Sequence, residues 1–187
     1  MGKKVIEKIE FPNEYKVLGA DLSLKRPSFC LISFKKEDGK TVMTDIQFKT
    51  IDNKNDKKKC HGELLEEIRR GFIDIAFMRS LNTFFVRETE IMHMKVPSER
   101  SLSKVVGLMD MMLWKISHKE WFSIYPTTVK KLITGSGKAE KNQVAKDLEY
   151  YIGKQDYKCD DESDAAAVAI AWLIEQGQIK QKESKDG

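Results

Sequence analysis

The chain has little sulfur or imidazole chemistry to offer: three cysteines and three histidines among 187 residues. Cys30, Cys60 and Cys159 are odd in number and show no Cys-x-x-Cys spacing, which argues against a disulfide framework and a cysteine zinc site and suits a reducing compartment. His61, His93 and His118 share no metal-ligand spacing, although His93 lies where it could approach a ligand of the neighbouring acids. No apolar run approaches the length of a membrane span, and Met1-Gly2-Lys3-Lys4 opens no apolar signal core. The expectation is a soluble cytoplasmic protein with no membrane partner. There is no internal repeat and no interdomain linker, so one domain is expected over 1–177, followed by a polar, flexible tail over 178–187. Net charge is only +4, mild support for an anionic partner.

What the sequence does have is acid at the ends of apolar runs. Val17-Leu18-Gly19-Ala20 reads as a buried strand ending on Asp21, after an exposed lead-in to Asn13. Ser28 to Phe34 and Thr41 to Phe48 read as strands joined at Asp38-Gly39, a hairpin-turn signature. Asp52 to Lys59 is polar and lysine-rich, expected as a solvated loop. Helical spacing over His61 to Arg79 precedes a strand, Asn82 to Glu88, which ends on Glu88. A long helix follows Pro97, then a short strand over Trp121 to Tyr125 and two helices around Gly135-Ser136-Gly137. Two hairpin strands followed by alternating helices and strands make the class α/β with a mixed sheet.

The last helix opens on Asp160-Asp161-Glu162-Ser163-Asp164 and continues as Ala165 to Ile174 with no polar face, so it should be buried. Asp161 and Asp164, three residues apart, share a helix face. The pair alone fits an ordinary acidic first turn, where the helix dipole favours negative charge. Asp21 alone fits a strand-end turn, and Glu90 rivals Glu88 if that strand continues. Taken together, Asp21, Glu88, Asp161 and Asp164 can converge at the carboxyl ends of the strands, where such sheets bind ligands. Four carboxylates in one cleft need cations, and hard divalent ions such as Mg²⁺ prefer oxygen ligands. Two such ions suit phosphodiester hydrolysis. Lys130, Lys131, Lys138 and Lys141 flank the glycine turn as a flexible basic edge fit for phosphates.

Val17 to Asp21 followed by Ser28-Phe29-Cys30-Leu31-Ile32 resembles the opening of the RuvC resolvases, a family of RNase H-like nucleases. Phe84 to Glu88 is similar to that family's second acidic motif, Tyr125-Pro126 through Val144 to its basic segment, and Asp161-Glu162-Ser163-Asp164-Ala165 to its closing motif. The resemblance spans Val17 to Leu173. It implies a five-stranded mixed sheet flanked by helices on both faces. It further implies a homodimer nicking Holliday junctions or related branched DNA at two symmetric positions. Asp21, Glu88, Asp161 and Asp164 would hold two Mg²⁺ ions, with Mn²⁺ able to substitute. Lys130 and Lys141 would meet the scissile-strand phosphates, and a bacterial or phage-infected cytosol would be the setting. Leu22 and Ser23 replace the family's usual Pro and Gly, and the loop 89–95 lacks its usual aromatic. Another RNase H-like nuclease, acting on RNA–DNA hybrids or flaps, and a junction binder without activity are the alternatives. The helix around Val105 to Trp114 is apolar on nearly every side, and Met109 and Met112 are expected to carry a dimer contact.

Overall fold

The computed structural model describes residues 9–53, 58–78, 81–89 and 97–182. Glu90, His93 and most of the lysine-rich run 54–59 lie outside them. Among the described residues, five strands and five helices follow in the order β1 (Glu14–Asp21), β2 (Ser28–Glu37), β3 (Lys40–Thr50), α1 (His61–Ala76), β4 (Thr83–Glu88), α2 (Pro97–Ser117), β5 (Phe122–Ile124), α3 (Pro126–Thr134), α4 (Lys141–Ile152) and α5 (Asp160–Glu175).

The strands form one mixed sheet in the order β3-β2-β1-β4-β5. The hairpin pairs β2 with β3, and β1 with β2, antiparallel; β1–β4 and β4–β5 are parallel. The β2–β3 turn is the two-residue Asp38-Gly39, both with positive φ (48° and 74°), the geometry that matches the twist of a tight hairpin. The parallel pairings require crossovers, and α1 and α2 supply them.

Because strand side chains alternate, each strand feeds both faces. On one face Val17, Ile32 and Val86 pack with α3, α4 and the Ala165–Ile174 stretch of α5. On the other, Leu18, Leu31 and Phe85 pack with α1 and α2. The fold expected from the sequence, a five-stranded sheet covered on both faces, is therefore what forms. Helix α5 fits against β1 because the facing residues are small. A Cβ at Gly19 would stand 2.2 Å from the Ala165 carbonyl oxygen and 3.0 Å from the Ala169 Cβ.

Several local expectations change. Phe11, in the lead-in expected to be exposed, is buried with its ring 5.6 Å from Trp172 and 4.8 Å from Phe84. The Lys36 amide and ammonium hold that segment by bonding the Asn13 and Phe11 carbonyls. Asn53, placed in a solvated loop, is buried, its amide donating to the Leu24 and Leu64 carbonyls. Met109 and Met112 are buried with Leu64, Ile68 and Phe72. They belong to the core of the single chain, because α2 packs on α1 as well as on the sheet. Among the described residues, the large apolar side chains that α2 turns to solvent are Met111 and Trp114. After α5, Ile179 packs on the core, and Lys182 pairs with Asp147 at 2.8 Å.

Candidate metal centre

The alternation that builds the core also aims the acids. Val17, Gly19 and Asp21 fall on the α5 face of β1, and Phe84, Val86 and Glu88 on the same face of β4. Ala20 is paired with Arg87, so the next residues, Asp21 and Glu88, leave the sheet side by side at its carboxyl end. The first turn of α5 arrives there with Asp161 and Asp164. One carboxylate oxygen from each of Asp21, Asp161 and Asp164 lies within 4.8 Å of the other two. Glu88 lines the same cleft, about 180 Å³, with Asp21, Asp164, Lys130, Lys141 and the apolar Val129 and Val144.

The crowding is electrostatically costly. Burial, then the fields of Asp164, Glu88 and Asp161, push the Asp21 carboxyl up to about 7, with Lys141 opposing. Burial and Asp164 also raise Glu88, against the pull of Lys141 and Lys130. Two cations answer this charge. The Lys141 ammonium, at the start of α4, pairs with Asp164, and the Arg26 guanidinium, from the β1–β2 loop, pairs with Asp161. Burial lowers the Lys141 pKa, but the hydrogen bond to Asp164 and the fields of Asp21 and Asp161 more than reverse it. The hydrogen bond to Asp161 likewise holds Arg26 charged.

Of the residues singled out in the sequence, the structure brings together Asp21, Glu88, Asp161, Asp164, Lys130 and Lys141. Lys138 is exposed on the α3–α4 turn, its amide bonded to Ser136 Oγ. Lys131 is exposed on α3 and does not line the cleft. Arg26 was not foreseen. No periodicity links a loop arginine to an acid 135 positions away; the available signal was a guanidinium five residues after the end of β1 and two before β2, in the loop where Leu22 and Ser23 depart from the family pattern.

An all-oxygen donor set of crowded carboxylates fits a hard divalent cation, because added positive charge relieves the repulsion that raises Asp21 and Glu88. The residues present therefore suit Mg²⁺ or Mn²⁺. A mixed five-stranded sheet covered on both faces, with an acidic cleft at the ends of β1 and β4, is the architecture of the RNase H-like nucleases. Residues 17–172 match the model of the family described as crossover junction endodeoxyribonuclease RuvC, and the chain belongs to that family. No curated protein sequence matches it.

Solved structures share the fold at low identity. RuvC from Thermus thermophilus, in complex with a Holliday junction substrate, is 15% identical with a TM-score of 0.69, covering 90% of this chain and 99% of that one. The yeast mitochondrial Holliday junction resolvase Ydc2 is 16% identical, with a TM-score of 0.59 over 94% and 84% of the two chains. The fowlpox virus resolvase, in complex with junction DNA, is 13% identical, with a TM-score of 0.53 over 86% and 97%.

Proposed function

We propose that this protein is a divalent-metal-dependent endonuclease that resolves four-way DNA junctions, and that it acts as a homodimer making two symmetric nicks. The observation that supports this reading best is the convergence of Asp21, Asp161 and Asp164 on one point, with Glu88 and Lys141 beside it, in a chain of the RuvC family.

Asp21, Glu88, Asp161 and Asp164 would hold two Mg²⁺ ions. Bound there, the ions would polarise the phosphate and favour ionisation of the attacking water, leaving a 3′-hydroxyl and a 5′-phosphate. Asp21 and Glu88 come from rigid strand ends and Asp161 and Asp164 from a buried helix, so the acids are held before any ligand arrives. Lys141, which pairs with Asp164, would contact a phosphate oxygen and stabilise charge that develops there. Lys130 lines the same cleft, and Lys131 and Lys138 extend a basic rim for the backbone of a DNA arm. Recognition would rest on branched shape and phosphate spacing more than on base edges.

The test is nicking of a synthetic four-way junction with Mg²⁺, wild type against Asp164→Asn. The variant should bind the junction in a mobility-shift assay and fail to cut it. Equal cleavage by both proteins would refute the assignment of the site. An RNA–DNA hybrid and a flap substrate, run alongside, should be cut far more slowly.

A further inference from the structure

Between the two acids that α5 presents to the cleft stands a third that turns away from it. Glu162 is 2% exposed. Its Oε1 accepts the Thr50 hydroxyl at 3.0 Å, and its Oε2 accepts the Lys158 backbone N–H at 2.8 Å. Thr50 spends its proton on Glu162, so the contact between the Thr50 and Ser28 hydroxyls, at 2.8 Å, has Ser28 as its donor. Ser28 is fully buried.

These residues form one row across the sheet. Asp21 ends β1 opposite Ser28, which begins β2, and Ser28 is opposite Thr50, which ends β3. The relay from Ser28 through Thr50 to Glu162 therefore ties the first turn of α5 to the same rung that carries Asp21. Beyond its acidic turn α5 first meets the sheet through small side chains, Ala165, Ala166, Ala167 and Ala169, and its large anchor, Trp172, set among Phe11, Phe84 and Phe122, lies about two turns further on. Small side chains by themselves fix the rotation of that first turn less firmly than long interlocking ones would. Cys159, at the N-cap, gives the helix no side-chain cap, and the Lys158 N–H, donating to Glu162, ties the incoming chain to the first turn beside the Glu162 N–H bond to the Cys159 carbonyl.

We infer that Glu162, held by Thr50, is a positioning residue that sets the height and rotation of α5, and so the distance from Asp161 and Asp164 to Asp21. Glu162 neither lines the cleft nor belongs to the group of acids that could share an ion. It acts through Asp161 and Asp164, and the inference rests on reading the acidic cluster as a metal site.

The test uses the full chain, with Mn²⁺ binding followed by titration calorimetry and junction nicking followed as a function of Mn²⁺ concentration. Thr50→Val keeps the shape of the side chain and removes the donor; Thr50→Ser restores the hydroxyl. Thr50→Val should bind Mn²⁺ about 10-fold more weakly, the lower end of what loss of a ligand-orienting partner costs. Its half-maximal Mn²⁺ concentration for nicking should rise by the same factor, while cutting at saturating Mn²⁺ is largely recovered. Thr50→Ser should return both to the wild-type range, which a general loss of packing would not predict. Glu162→Gln, which turns an amide N–H₂ toward one of two donors, should match or exceed the Thr50→Val defect. Thr50→Val and Glu162→Gln proteins that fold by circular dichroism and bind Mn²⁺ as wild type does would overturn the positioning role. The metal-site reading fails separately, and takes this inference with it, if Asp164→Asn binds Mn²⁺ as tightly as wild type.

Discussion

Replacing Asp21 by Asn should make the metal-free protein more stable while ending its activity. The folded carboxyl sits at about 7 against an ordinary 3.8, so the folded chain holds this proton more tightly than the unfolded chain does. Stability then falls as pH rises between these two values, and is lowest once Asp21 is ionised in both states. A difference of about 3 pH units corresponds to about 4 kcal/mol at 1.36 kcal/mol per unit. That is an upper bound, because Glu88, raised by the same neighbours, shares in the titration. Asparagine removes the charge but leaves a buried amide, so a net gain of about 2 kcal/mol is expected near pH 8, with a Tm higher by about 4–8 °C. Near pH 4.5 Asp21 is already neutral, and the gap should close. Thermal unfolding in EDTA across this range, followed by circular dichroism, measures both limbs. Saturating Mn²⁺ should reverse the order, since wild type gains about 2.7 kcal/mol at 100 times its Kd and the variant much less. An Asn variant less stable than wild type near pH 8, or a gap that does not change with pH, would show that the cluster is not under electrostatic strain.

Gly19→Ala should cost about 3 kcal/mol or more, measured by urea unfolding, because the new methyl meets the Ala165 carbonyl and α5 must lift from β1. Arg26→Ala should destabilise the metal-free protein by about 1–3 kcal/mol, since it strips the cation from the partly buried Asp161, and Mn²⁺ should recover most of that loss in a thermal shift assay. Met109→Lys should prevent folding, whereas Met111→Lys should leave circular dichroism unchanged and shift sedimentation from dimer toward monomer.

The acids at strand and helix ends were legible because each terminates a segment whose period or run length reveals it: Asp21 after four apolar residues, Glu88 after Phe84-Phe85-Val86, and Asp161 and Asp164 before an alanine run. Lys141 was legible through its place in a glycine-flanked basic segment. What stayed hidden depends on contacts far apart in the chain. The Arg26–Asp161 pair spans 135 positions. Glu162 read as one more acid of a first turn, and only the fold shows that Asp161 and Asp164 face the cleft while it faces Thr50. Met109 and Met112 were misassigned because hydrophobicity cannot say which partner covers a face, and α1 covers theirs. Phe11 looked like part of a polar lead-in, yet Trp172, near the other end of the chain, receives it.

The placement of α5 also governs when the site can exist. Asp21 and Glu88 are in place once the sheet has formed, but Asp161 and Asp164 belong to α5, which fills the centre of one face. During synthesis the first two acids emerge long before their partners, so the nascent chain carries an incomplete set of acids. Competence as a nuclease should appear abruptly, with the docking of α5, rather than accumulate with chain length. The long sequence separation of these contacts also makes that docking a slow step for a chain of this size. A stalled or truncated product lacking α5 should therefore be unable to cut DNA, a safeguard that follows from topology alone.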